Sequence, residues 1–78
     1  MMRINRKALE QKCADTARIL AIPFELNYSA EYGGYCLESN GGRFRHSPRI
    51  PAKEMWWFLA GLIEAEYLRT RNYGKDEG

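Results

Sequence analysis

The amino-acid sequence predicts an α+β domain of two layers, a three-stranded antiparallel sheet packed under two helices in the order αβββα. Three observations carry that expectation. Apolar residues recur at helical spacing over the first twenty residues, the period changes to two from Phe24, and a long apolar segment opened by Pro51 restores the helical period. With 78 residues there is room for a single small domain, spanning residues 1–78. A composition of 45% hydrophobic, 13% aromatic and 28% charged residues is that of a folded globule, not of a disordered tail.

The first helix is expected from Asn5 to about Ala21. Leu9, Cys13, Thr16, Ala17 and Leu20 fall on one side of it, and Lys7, Gln11, Lys12 and Arg18 fall elsewhere. Pro23 closes it, because the residue before a proline is pushed out of helical backbone. Phe24, Leu26 and Tyr28 then alternate with Glu25, Asn27 and Ser29, the pattern of a half-buried strand. Gly33-Gly34 leads into a second strand, Tyr35 to Ser39, and Asn40-Gly41-Gly42 supplies residues that tolerate positive φ in a hairpin turn. A third strand is expected over Arg43 to Ser47, with Phe44 and His46 on one face, Arg43 and Arg45 on the other, and Pro48 as its stop. Pro51 suits the first position of a helix and Glu54 its first turn. That helix is expected to run to about Asn72, with Arg69, Arg71 and Lys75 near its end, Gly74 as a stop, and residues 74–78 frayed.

The second helix carries the sharpest surface signal. Met55-Trp56-Trp57-Phe58-Leu59 cannot all face one core, since successive residues turn by about 100° around the axis. With Leu59 at the centre of the buried face, Ala52, Met55, Trp56, Leu62 and Ile63 lie within roughly 60° of it, and Phe58 and Tyr67 flank it at about 80 to 100°. Trp57, Gly61 and Leu68 then point to the opposite side, with Ala65 beside them. These four residues form a second apolar stripe, rimmed by Lys53, Glu54, Glu64 and Arg71. Apolar patches of this kind mark contact surfaces, and tryptophan is favoured at their centres.

The formal charge is only +2, but it is unevenly placed. Residues 19–42 hold three acidic and no basic groups, and residues 43–53 hold four basic groups, Arg43, Arg45, Arg49 and Lys53, and no acidic one. Guanidinium groups beside a helix start can grip phosphate, and strand arginines can equally pair with carboxylates on neighbouring strands, for which Glu25 and Glu38 are available. Cys13 and Cys36 belong to no metal-ligand spacing and are expected as buried thiols. His46 is the single histidine, near Cys36 if the hairpin pairs as drawn, with no third group to orient it. No catalytic constellation, cofactor or metal site is expected. Tyr28, Tyr32 and Tyr35 gather around one loop and more often complete a small core than stack on a ligand. The longest apolar run, Met55 to Ile63, is nine residues against the ~20 that span a bilayer. The N-terminus has the charge of a signal peptide without its apolar core, so a cytoplasmic compartment is expected and the Asn27-Tyr28-Ser29 sequon is read as chance.

The element order resembles that of double-stranded-RNA-binding domains. That family places a lysine-rich start on its second helix and a histidine in the loop between its first two strands; the matching positions here read Pro51-Ala52-Lys53-Glu54 and Ala30-Glu31-Tyr32-Gly33-Gly34. The segments Tyr32-Gly33-Gly34-Tyr35-Cys36-Leu37-Glu38 and Ser47-Pro48-Arg49-Ile50-Pro51-Ala52-Lys53-Glu54-Met55 look like those of small proteins encoded in prophages and other mobile elements of gut bacteria. That likeness implies an accessory protein that occupies a surface of another protein. The leading expectation is therefore a non-enzymatic interaction module that dimerises or docks on a protein partner through Trp57, Gly61, Ala65 and Leu68. The alternative is nucleic-acid binding through Arg43, Arg45, Arg49 and Lys53.

Overall fold

A computed structural model describes residues 4–76 of the chain, and the side chains of residues 4–71. Helix α1 spans Arg6–Leu20. It starts where Asn5, in extended backbone, accepts a 2.7 Å bond from the Ala8 N–H on its side-chain oxygen, satisfying a donor that a helix start leaves unpaired. It ends three residues before Pro23. Ala21 takes the left-handed conformation (φ 59°), and the Ile22 N–H reaches back to the Ala17 carbonyl at 3.1 Å, a Schellman closure built on an alanine where glycine is usual.

Strands β1 (Phe24–Tyr28), β2 (Tyr35–Ser39) and β3 (Phe44–Arg45) form an antiparallel sheet in that spatial order. β1 and β2 pair Phe24 with Ser39 through Tyr28 with Tyr35, which places Phe24, Leu26, Tyr28, Tyr35, Leu37 and Ser39 on one face. Both helices cover that face. Leu9 and Cys13 of α1, Tyr35 and Leu37 of β2, and Met55 and Leu59 of the C-terminal helix make the buried core, with Phe24, Leu26, Ile50, Trp56 and Phe58 packed around it. Thr16, fully buried in α1, turns its hydroxyl back to the Lys12 carbonyl at 2.7 Å and so enters the core without an unpaired donor.

The turn joining β2 and β3 is made as expected. Asn40, Gly41 and Gly42 have φ of 57°, 67° and 88°, and the Arg43 N–H closes on the Asn40 carbonyl at 3.2 Å. β3 itself is shorter than the Arg43–Ser47 expectation. His46 still donates to the Leu37 carbonyl, but the Leu37 N–H bonds the Ser47 hydroxyl at 3.0 Å instead of a backbone carbonyl. Ser47 thereby ends the ladder, before Pro48 is reached. The chain then bulges and rejoins β2 two positions out of register, where Ile50 and Tyr35 exchange both backbone bonds at 2.7 and 2.8 Å.

Helix α2 spans Ala52–Asp76, with the Pro51 carbonyl accepting its first bond from the Met55 N–H. Pro51 thus stands just outside the helix, and the helix runs through Gly74, the expected stop. Of the tail expected to fray at 74–78, residues 74–76 belong to α2 and residues 77–78 lie outside the described residues. Twenty-five residues make a rod about 37 Å long, against about 17 Å for a five-residue strand, so α2 outruns the sheet. Tyr67, expected to flank the core, is exposed for that reason. Among the described residues no helix is long and apolar enough to cross a membrane.

Candidate protein-interaction surface

The phase of α2 follows from its buried residues. Met55 and Leu59, four apart, are fully buried, and Ala52, Trp56, Phe58 and Leu62 lie partly buried against the same core. Trp57, one step of about 100° beyond Trp56, is turned away from it. It is 57% exposed and Leu68 is 50% exposed, with Gly61 and Ala65 open to solvent between them. The four residues of the sequence-derived stripe therefore share one outward face. Lys53, Glu54, Glu64 and Arg71 are exposed around it.

The two tryptophans hold each other in position. Their rings meet edge to face, with centroids 5.0 Å apart at 81°, and the Lys12 ammonium of α1 sits 4.3 Å from the Trp56 centroid. Trp56 is thus fixed from both sides, and it limits the directions open to Trp57. Gly61 has nothing within 4 Å of where a β-carbon would stand, so its small size leaves a shallow dip between Trp57 and Leu68.

The basic segment does not converge on one patch. Arg43 and Arg45 project near the Asn40–Arg43 turn, at one end of β2. Arg49 is drawn toward the other end, where its guanidinium donates to the Asn27 carbonyl (3.1 Å), the Asn27 side-chain oxygen (3.0 Å) and the Gly34 carbonyl (3.3 Å). It ties the segment after β3 to the β1–β2 loop. The side chains of Arg43, Arg45 and Lys53 are exposed and form no hydrogen bond or ion pair among the described residues. Arg45 stands directly across from Glu38, and Glu38 across from Glu25.

The thiol and imidazole do not meet. Cys36, fully buried, donates its S–H to the Ser47 carbonyl at 3.1 Å, whereas His46 shares a 2.7 Å hydrogen bond between its Nε2 and the Ser39 hydroxyl and rests edge-on against Phe24. Cys13 is also a free, buried thiol. Burial pushes its pKa up, and the carboxylates of Glu10 and Glu25 push it further, so it stays protonated and unreactive at neutral pH. Of the loop tyrosines, Tyr35 is buried and meets the half-exposed Tyr28 with ring centroids 5.0 Å apart and a 46° tilt, while Tyr32 is 76% exposed.

One feature escaped the sequence reading. An open recess of about 200 Å³ lies between α1 and β1, lined by Glu10, Cys13, Ala14, Phe24, Glu25 and Leu26. Its two halves are ten or more residues apart in the chain, and only the packing of α1 along β1 brings them together.

No protein-family model matches the chain, and no curated protein or solved structure does so either.

Proposed function

We propose that the protein is a non-enzymatic interaction module that contacts a second protein, in the first instance another copy of itself, through the outward face of α2. The supporting observation is the exposure of Trp57 and Leu68 on one helix face, with Gly61 and Ala65 between them where a second backbone can approach closely. An exposed tryptophan anchored by its neighbour and set beside a small-residue dip has the form of an interface hot spot, a rigid aromatic group that loses little entropy on burial. The resemblance to small prophage and mobile-element proteins fits a chain whose task is to cover another protein's surface.

Sedimentation velocity over a range of concentrations tests this. The unmodified protein is expected to dimerise reversibly, and Trp57→Glu to remain folded and monomeric, since substitutions of exposed residues usually change stability by less than about 0.5 kcal/mol. Trp56→Glu, by contrast, places a charge against the core and costs at least about 3 kcal/mol, which circular dichroism and a thermal melt would register as unfolding. Unfolding by Trp57→Glu would mean that the helix phase is wrong. A protein that stays monomeric moves the reading from self to foreign contact.

A second reading rests on Arg43 and Arg45, exposed and unpaired among the described residues, which leave two guanidinium groups available to phosphate. If that reading holds, RNA or DNA duplexes bind tightly at low salt, binding falls steeply as salt rises, and it falls again on Arg45→Ala. An apolar helix contact hardly responds to salt.

A further inference from the structure

The strand order leaves β1 at an edge of the sheet. The ladder fixes which of its backbone groups point outward. Leu37 and Tyr35 bond toward His46 and Ile50, so the residues between and beyond them, Cys36 and Glu38, bond toward Asn27 and Glu25 of β1. The Ser29 N–H, bonded to the Gly34 carbonyl, continues that series. The outward groups are therefore those of Leu26 and Tyr28 and the Phe24 carbonyl, the Phe24 N–H being turned back to Ile22 at 2.7 Å. Among the described residues none bonds to them. A row of open donors and acceptors is a template for an added strand.

Two further observations say what kind of strand fits. On the outer sheet face Glu25 lies directly opposite Glu38, a like-charge pair that repels, and Glu38 has Arg45 on its far side. Among the described residues no cation pairs with Glu25. On the helix side of the same edge lies the recess lined by Cys13, Ala14, Phe24 and Leu26 together with Glu10 and Glu25. We propose that β1 is a docking edge for an extended peptide of apolar–basic–apolar pattern. The peptide adds as a fourth, antiparallel strand and exchanges both backbone bonds with Leu26. Its lysine or arginine lies beside Glu25, and the flanking apolar side chains turn into the recess. The charges across the sheet then read basic, Glu25, Glu38, Arg45, with each carboxylate beside a cation. A second copy of β1 does not meet this need, since Phe24–Tyr28 contains no basic residue and brings another Glu25. Among the described residues no Cα of α2 comes within 8 Å of a Cα of β1, so the β1 edge and the Trp57 face are carried by different elements.

The test uses a fluorescent, end-blocked pentapeptide Thr-Val-Lys-Val-Thr, its Thr-Val-Glu-Val-Thr counterpart, and the lysine peptide N-methylated at both valines. Anisotropy is expected to show the lysine peptide binding about tenfold more tightly than the glutamate one. The exposed substitution Glu25→Lys is expected to reverse that preference with the circular dichroism spectrum unchanged. The N-methylated peptide is expected not to bind, and amide exchange at Leu26 and Tyr28 to slow when the lysine peptide is present. Equal affinity for the two charges, binding by the N-methylated peptide, or no binding of the lysine peptide at millimolar concentration would each overturn the proposal.

Discussion

Gly33 and Gly34 are neighbours in one loop, both with positive φ, yet their surroundings separate them. A β-carbon at Gly33 (φ 68°) meets nothing within 4 Å, whereas one at Gly34 (φ 113°) meets the Ile50 carbonyl oxygen at 2.8 Å, where the rejoined chain crosses against β2. Gly33→Ala is therefore expected to cost about 1 kcal/mol of backbone strain. Gly34→Ala adds a clash with backbone and is expected to cost about 3 kcal/mol or more, a difference that urea unfolding resolves. At Cys13 the prediction concerns pH. Its folded-state pKa lies above the ordinary 9.0, so both states keep the proton below that value. As pH rises past 9.0 the unfolded thiol ionises first and draws the equilibrium toward the unfolded state, so stability is lost with rising pH through the folded pKa. Urea midpoints measured from neutral pH upward are expected to fall less steeply above 9.0 in Cys13→Ala than in the unmodified chain. Equal slopes would show that this thiol is not responsible.

The elements differ in how far the sequence revealed them. α1 was legible because its period, its Asn5 start and the proline beyond its end all agree, and the Asn40-Gly41-Gly42 turn because three successive residues accept positive φ. β3 was legible in its place but not in its length, because a side chain ended it: the Ser47 hydroxyl took the Leu37 N–H, and no spacing rule announces that exchange. The placement of Arg49 was equally hidden. Its charge suggested phosphate, but its geometry serves the Asn27 and Gly34 oxygens. The phase of α2 was legible from Met55 and Leu59, and with it the exposure of Trp57 and Leu68, though not the point at which the helix leaves the sheet. That point makes a prediction. Amides from Glu64 to Arg71 are expected to exchange at least about tenfold faster than those of Met55 to Leu59, because the later turns lack a sheet beneath them. Uniform protection along α2 would show that another surface covers the second half.

At the scale of the whole molecule the extra length of α2 is plain in its dimensions. The extents are 51 × 35 × 18 Å and the radius of gyration is 13.9 Å, against about 11.5 Å for a compact chain of this length. The accessible surface, 5738 Å², likewise exceeds the roughly 4,900 Å² expected for this mass. A chain this small has little core in reserve. Leu59→Ala is expected to remove about 2 to 5 kcal/mol of a total that small domains rarely hold above 10. The second crossing of β2 governs how this surface is presented. Ile50 is locked to Tyr35 by two backbone bonds, and the helix begins directly after Pro51, so a single residue joins sheet to helix. That junction sets the angular position of every α2 side chain. One residue inserted there rotates the helix by about 100° relative to the sheet, and one deleted rotates it as far the other way, so that a different tryptophan meets the core. The length of the connection, more than the composition of the helix, decides which indole the protein shows to its surroundings.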